Sequence, residues 1–290
     1  QRVAQLTRED RRARAIRGEE RIDHEDPHDR TSLGQHPDGD GPGTSLSVVS
    51  DAQVNELDEI ARSYDPSDPT SSFDYWFKRL EADAVRPWLA GGEVLELGGA
   101  TGELTSLLVD DVATYTIVEG SSVNVAVLRD RLPSVHVIEG LWEQYEPDRT
   151  FTDIILFEAL EHYDAPVRLL ERCATWLEPG GRIHISVPNG NSLHRQVAVE
   201  MGMQAEPTTL NDSDRAQGHL RNYTDATLTA DIEAAGLRVV HSRGLFLKLV
   251  PNRMMLEWNE DLIRGIDALA AARTEIAAEL FFVCETDGAA

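Results

Sequence analysis

Apolar runs of strand length alternate with stretches of helical spacing along the middle of this chain, and that alternation limits what it can fold into. The runs are 93–97 (EVLEL), 114–119 (TYTIVE), 135–139 (VHVIE), 152–157 (TDIILF) and 182–187 (RIHISV). Helices are predicted between them at 102–109, 122–131 and 165–177. Strands joined through helices run parallel, and their right-handed crossovers put helices on both faces of one sheet. The third helix is expected to stop at the "EPGG" that follows it, a helix end and then a turn. Two later runs, 237–241 (LRVVH) and 279–284 (ELFFVC), bring the strand count to seven. No internal repeat is visible.

The flanking sequence has a different texture. Residues 1–50 are densely charged ("QLTREDRRARAIRGEERIDHEDPHDR") and then rich in Gly, Pro and Asp ("GQHPDGDGPGTS"). Such composition cannot bury enough surface to offset its ordering entropy, so a disordered N-terminal extension is expected. Residues 51–90 read as N-terminal helices or a lid. There "SSFDYWFKRLEADAVRPWL" opens on serine caps and repeats Phe73, Trp76, Phe77, Leu80 and Ala84 at helical spacing. The main domain is assigned to 91–290. With 41% hydrophobic residues the chain can build a sizeable core, and its formal net charge of −24 repels phosphate backbones, so nucleic acid is not an expected partner. The two cysteines, Cys173 and Cys284, have no metal-type spacing. No metal is therefore expected, and a reducing cytoplasm suits them. No apolar run has the roughly 20 residues of a membrane span, and no signal-peptide core is seen at the N-terminus.

The first strand runs into Glu96-Leu97-Gly98-Gly99-Ala100-Thr101-Gly102. Glycines in such a turn let the backbone approach a ligand, and the next helix aims free N–H groups at the same place. A phosphate-binding loop would end in Gly-Lys-Ser/Thr, and a dinucleotide fingerprint would space its glycines as Gly-x-Gly-x-x-Gly. Neither is present. The second strand ends in Glu119, where an acid can accept hydrogen bonds from two ribose hydroxyls. Alone, the turn reads equally as a tight strand-to-helix connection and Glu119 as a solvated acid.

Five blocks in order resemble the class I S-adenosylmethionine-dependent methyltransferases: "VLELGGATGELTSLL", "YTIVEGSS", "VHVIEGLWEQYEP", "FTDIILFEALEHYDAPVRLLERCATWLEPGGRIHISVPN" and "GHLRNYTDATLTADIEAAGLRVV". The likeness covers roughly residues 73–285. It implies a Rossmann-like α/β fold with a seven-stranded, mostly parallel sheet of order 3-2-1-4-5-7-6 whose last strand is antiparallel. The implied cofactor is S-adenosyl-L-methionine, with S-adenosyl-L-homocysteine as product. The implied cofactor residues are Gly98, Gly99, Ala100 and Gly102 beneath the methionine part, Glu96 supporting that turn, and Glu119 with Gly120 at the ribose. Leu141 and Trp142 would flank adenine, and Phe157 and Glu158 would face the methionine. Ala100 stands where the family usually has a glycine, and Leu141 stands where it often has an acid.

Methyl transfer from a sulfonium needs an aligned nucleophile and exclusion of water, and sometimes a base. His162 in "EALEHYDAP" and His219 and Tyr223 in "GHLRNYT" are the candidates, with His194 behind them. The bland reading of each is capping or packing. The long connection at about 188–222 is the expected substrate cap. Tyr75 is a candidate to cover the sulfonium by cation–π contact, while Trp76 is expected to pack and Arg79 to be exposed. "FEALEH" replaces the Asn/Asp-Pro-Pro-Tyr/Phe of amino-methylating DNA enzymes. A small molecule is thus the expected acceptor at N or O, such as a sugar, amino sugar or other secondary metabolite. A second copy of the chain is the one protein partner considered. Two other readings stay open: a nicotinamide-dependent oxidoreductase on a similar sheet, and a non-catalytic partner subunit with this fold.

Overall fold

The computed structural model describes residues 51–63, 70 and 72–286, and the extension expected over 1–50 lies outside them. Seven strands form one sheet in the order β3-β2-β1-β4-β5-β7-β6. They are β1 (Glu93–Leu97), β2 (Thr114–Glu119), β3 (His136–Glu139), β4 (Phe151–Phe157), β5 (Leu177–Pro188), β6 (Leu237–Leu245) and β7 (Glu279–Thr286). The pairs β1–β2, β1–β4, β2–β3 and β4–β5 are parallel. Strand β7 runs antiparallel to both β5 and β6. Order and directions agree with those expected.

The helices are α1 (Asp51–Ser63), α2 (Asp74–Val85), α3 (Glu103–Leu108), α4 (Ser122–Arg131), α5 (Pro166–Thr175), α6 (Leu193–Glu200), α7 (Asp212–Ala216), α8 (Asp225–Ala234) and α9 (Glu260–Ala270). Alternate strand residues feed two cores, because side chains in a strand point to opposite faces. Leu95, Ile154, Leu156, Ile183 and Ile185 pack with Leu169 and Leu170 of α5 and Leu228 and Ile232 of α8. Val94, Ile155, Phe157 and Phe281 pack on the other face with Val85 of α2, Leu108 of α3 and Leu128 of α4. A third cluster joins Phe73 and, from α2, Phe77 and Leu80 to Phe246, Met255 and, from α9, Ile263. Truncating a buried member such as Ile154 to Ala would cost about 2–5 kcal/mol.

Two boundaries differ from expectation. Strand β5 begins at Leu177 rather than 182: Phe151 pairs with Leu177, and the register shifts before Asp153 pairs with Arg182. The "EPGG" turn is absorbed into that bulge, with Gly180 at φ +81° and no room for a Cβ on Gly181 against the Phe151 and Thr152 carbonyls. Strand β6 continues to Leu245 across a register shift between Val239 and His241. The serine cap of α2 is also displaced, with Ser72 Oγ accepting from the Asp74 amide at 3.2 Å. Helices α6 to α9 were absent from the predicted set. Three of them start on side-chain caps visible in sequence, at Asn211, Thr224 and Asn259.

Candidate active site

The turn after β1 is left-handed three times, with φ +84° at Gly98, 45° at Ala100 and +79° at Gly102. Ala100 adopts it despite its Cβ, at a cost of about 1–2 kcal/mol. A side chain at any of the three glycines would collide. A Cβ on Gly98 would lie 2.8 Å from Trp142, one on Gly99 2.7 Å from Ile117, and one on Gly102 2.7 Å from Leu132. These glycines are therefore demanded by packing as well as by any ligand. The Cβ position of Gly102 faces Leu128 and Leu132, and its neighbours Thr101 and Glu103, rather than Gly102, line the cleft described below.

Glu119 ties the two turns together. Its Oε2 accepts from the Ala100 amide at 3.0 Å and its Oε1 from the Ser121 amide at 2.8 Å. Burial raises its pKa above the ordinary range, with the Ser121 and Ala100 bonds opposing. Glu96 faces inward: its Oε2 accepts from Thr105 Oγ1 at 2.6 Å and from the Tyr115 hydroxyl at 2.9 Å. The start of α3 is thus locked onto β1 and β2.

A cleft of about 960 Å³ opens above the ends of these strands. Gly98 to Thr101, Glu119, Ser121 and Asn124 line one end. Leu57, Ile60 and Ala61 of α1 and Asp74, Phe77 and Lys78 of α2 form its N-terminal wall. Helix α1 is fastened there by Asp58, which accepts from Ser121 Oγ at 2.7 Å and Ser122 Oγ at 2.9 Å. Leu57 and Leu141 flank Gly120, each within 3 Å of where its Cβ would be. Trp142 covers Gly98 in the same way, so both residues expected near adenine pack on the glycine turns.

Beyond β4 the backbone is strained at Glu158, φ 51°, and its side chain lines the cleft with Phe157. Non-glycine residues hold such angles where the surroundings over-determine them, often at functional sites. Lys78 Nζ donates to Glu158 Oε2 at 2.5 Å and to Glu81 Oε2 at 3.0 Å. Burial pushes Glu81 up to about 7 against the pull of Lys78. Burial also raises Glu279, whereas at Glu158 it is outweighed by Lys78 and the histidines, and the net shift is downward.

The far wall belongs to the 188–222 connection, with α6 and α7. Arg195 pins it, donating to Asp214 Oδ1 at 2.6 Å and Asn222 Oδ1 at 3.2 Å. His162, His194 and His219 all line the cleft. The His162 and His219 rings are perpendicular with centroids 4.8 Å apart. Burial, then His219, pulls His162 down to about 4, and burial pulls His194 to about 3 and lowers His219. Each is thereby less basic than an ordinary imidazole.

Two candidates stand elsewhere. Tyr223 is 2% exposed, and its hydroxyl donates to Asp231 at 2.9 Å. It is a structural bond between the connection and α8, away from the cleft lining. Tyr75 is also off the lining: its ring lies under the Arg79 guanidinium at 4.4 Å and against Trp76. Helical phase explains the miss, because Asp74, Phe77 and Lys78 share the cleft side of α2. Leu57, Asp58, Lys78, Glu81, Glu161 and Glu279 are not among the residues expected at the site from sequence. One signal was available: both lysines of the chain, Lys78 and Lys248, line this cleft.

A family model described as a methyltransferase domain matches residues 73–242, more than half of the chain. The chain belongs to that methyltransferase family. Its sheet order is the one implied for the class I S-adenosylmethionine-dependent enzymes. A Mycolicibacterium smegmatis protein described as a probable S-adenosylmethionine-dependent methyltransferase is 29% identical over 176 residues, 60% of this chain and 63% of that one. The ubiquinone biosynthesis O-methyltransferase of Aeromonas salmonicida is 28% identical over 189 residues, 60% of this chain and 74% of the other. The methyltransferase thus spans under two thirds of the M. smegmatis relative's length. Among solved structures, a Thermotoga maritima methyltransferase described as a possible histamine N-methyltransferase superposes with TM-score 0.57 at 18% identity, over 80% of this chain and 100% of that one. The CcbJ methyltransferase of Streptomyces caelestis gives 0.55 at 17%, over 80% and 97%. At these identities the structures support the fold alone. Among the described residues of the methyltransferase, no helix is long and apolar enough to cross a membrane.

Proposed function

We propose that this protein transfers a methyl group from S-adenosyl-L-methionine to an oxygen or nitrogen of a small molecule, releasing S-adenosyl-L-homocysteine. One observation carries the reading. The glycine turn and Glu119, tied to each other, end in the same cleft as His162 and His219. Two halves of one reaction therefore share one space. At about 960 Å³ the cleft is at the upper end of the roughly 300–1,000 Å³ of small-molecule sites, which suits a cofactor beside an acceptor.

The residues present fit that cofactor. Each Glu119 oxygen already accepts one amide and keeps a lone pair for a ribose hydroxyl. Leu57, Ile60 and Ala61 of α1 offer an apolar wall at the Glu119 end of the cleft for a purine. Glu158, whose pKa is held down by Lys78, gives the floor an anionic group toward the cationic sulfonium and ammonium. When bound, the cofactor supplies an electrophilic methyl group. The protein aligns the acceptor and excludes water, tasks that fall to the 188–222 cap held by Arg195 and to α1 held by Asp58. A neutral His162 or His219 can accept a hydrogen bond from the acceptor and orient it. Their low basicity favours orientation over full proton removal. Among similar proteins, one is an O-methyltransferase and another is described as a possible histamine N-methyltransferase, so both nucleophile types stay open.

The test is a screen of small-molecule alcohols, phenols, amines and acids with S-adenosyl-L-methionine, read as a one-methyl mass gain. Calorimetry with S-adenosyl-L-methionine and with NAD(H) runs beside it. Binding of NAD(H) alone would transfer the assignment to an oxidoreductase. Binding of S-adenosyl-L-methionine with no transfer to any class would favour a partner subunit.

A further inference from the structure

Glu161 is an anomaly behind the cleft wall, next in sequence to the lining residue His162. It is 1% exposed, and neither of its carboxylate oxygens has a hydrogen-bond partner. A buried carboxylate with no donor is costly, because desolvation is uncompensated. Burial accordingly drives its pKa well above the ordinary range, and the neighbouring Glu158 adds to the rise. The Glu161 carbonyl accepts from the Leu220 amide at 2.8 Å, which fixes the backbone and leaves the buried side chain to be accounted for.

Two imidazoles meet that side chain. His162 Nε2 lies 4.0 Å from Glu161 Oε1. His219 stands edge-on to His162, and its Nδ1 is buried without a partner. One ligand atom from each of Glu161, His162 and His219 lies within 4.8 Å of the others. Gly218 packs against the other ring nitrogen, with His162 Nδ1 3.6 Å from where a Cβ on Gly218 would stand. We propose that Glu161, His162 and His219 bind one divalent cation of the Mn²⁺, Co²⁺ or Zn²⁺ class. The two imidazoles suit Zn²⁺ and Co²⁺, the carboxylate also suits the harder Mn²⁺, and two nitrogen donors disfavour Mg²⁺ and Ca²⁺, which prefer oxygen. Two ligands each about 2.0–2.2 Å from one ion stand at most about 4.4 Å apart. Small rotamer changes close the remaining gap.

The second acidic group, Glu81, Glu158 and Glu279, is a poorer site. Lys78 already bonds two of its members and supplies the positive charge there. The expectation of no metal rested on cysteine spacing. It did not consider this trio, which a short turn after β4 and the loop after α7 bring together only in the fold. If the methyl-transfer reading holds, and this clause alone rests on it, the ion's open positions would take an acceptor oxygen beside the methyl donor and make its hydroxyl more acidic.

The test uses the full chain after chelator treatment, titrated with Mn²⁺ alone in 0.15 M salt and followed by electron paramagnetic resonance. The expected result is one Mn²⁺ per chain with ¹⁴N couplings from imidazole. His162→Asn, His219→Asn and Glu161→Gln are each expected to weaken binding by roughly tenfold or more, the scale of losing a contact to the ion. His162 sits on a part-exposed turn, so its variant carries the test if Glu161→Gln fails to fold. No stoichiometric binding would overturn the site. So would Mn²⁺ without nitrogen couplings, or binding unchanged in the histidine variants. Loss of binding in Glu279→Gln but not in the histidine variants would move the ion to the other acidic group and equally refute the proposal. Calorimetry of S-adenosyl-L-methionine in chelator is read separately. Failure of the metal site with cofactor binding intact refutes this inference and leaves the methyltransferase reading standing, and the reverse outcome does the opposite.

Discussion

Replacing Glu119 by Ala tests the cofactor end of the cleft most directly. The side chain is 6% exposed and holds two backbone amides, those of Ala100 and Ser121. Removing it does two separable things. Both amides lose a charged acceptor, worth roughly 1.5–3 kcal/mol each when buried. They border an open cleft, however, so water replaces most of that, and the net loss of folding stability should be only about 1–2 kcal/mol. The ligand loses the acceptor for its ribose diol with no replacement inside the bound complex. That costs about 1–3 kcal/mol, or roughly 5- to 150-fold in Kd. Glu119→Gln is the finer probe. One amide would face the new NH₂ group instead of an oxygen, so Gln should fall nearer to Ala than to the wild type. Calorimetry with S-adenosyl-L-methionine gives Kd, and urea unfolding gives stability. A folded Glu119→Ala protein with unchanged Kd would refute the ribose assignment. A variant that loses stability but not affinity would reduce Glu119 to a loop tie.

Tyr223→Phe should keep kcat within about twofold and lower stability by about 1–2 kcal/mol, because it deletes a hydrogen bond to Asp231 outside the cleft; both are read by steady-state kinetics and urea melts. Ala at His162 or His219 should lower kcat by roughly 5- to 150-fold, the loss of one orienting hydrogen bond, with S-adenosyl-L-methionine affinity nearly unchanged, and two near-wild-type enzymes would remove both from the reaction. Burial raises Glu81 to about 7 from an ordinary 4.5, so its contribution to stability is fully present below about pH 4.5 and is lost as pH rises through about 7. Glu81→Gln should flatten that part of the urea-midpoint profile by an amount of order 3 kcal/mol at most, and an unchanged slope between pH 5 and 8 would show that Lys78 keeps the carboxylate charged.

The strands were legible because most are buried on both faces. Val94, Leu95 and Leu97 have no exposure, nor do Ile154, Ile155 and Leu156, and continuous apolar runs of that length between turn signals read as parallel strands. Edges were harder. The start of β5 carries Pro179, Gly180 and Gly181, residues that signal a turn, and only pairing with Phe151 makes the segment a strand. Helices α6 and α7 are short and mostly polar, and their place comes from the Arg195 network rather than from any apolar stripe. Tertiary contacts override weak local preference in such segments.

The site divides along the same line. Residues contiguous in sequence, such as Glu96 to Ala100 and Phe157 with Glu158, were readable because turn chemistry and spacing are local. The floor of the cleft was not, because it is assembled from separate elements. Lys78 comes from α2, Glu158 from the end of β4 and Glu279 from the start of β7, and each alone reads as a surface charge. What sequence does carry is a contrast. The chain uses arginine at nearly every basic position, yet Lys78 and Lys248 both line the cleft. An ammonium is a compact point charge, whereas a guanidinium is a wide planar fork. At Lys78 the charge must fit between Glu81 and Glu158 with little exposed surface, and a guanidinium there would have to displace one of them. Lys248 is buried enough for its pKa to fall, with Asp74 and Glu279 pulling the other way. Lysine in an arginine-biased chain therefore marks positions where size constrains the cation, and here both marks fall on the walls of one cleft.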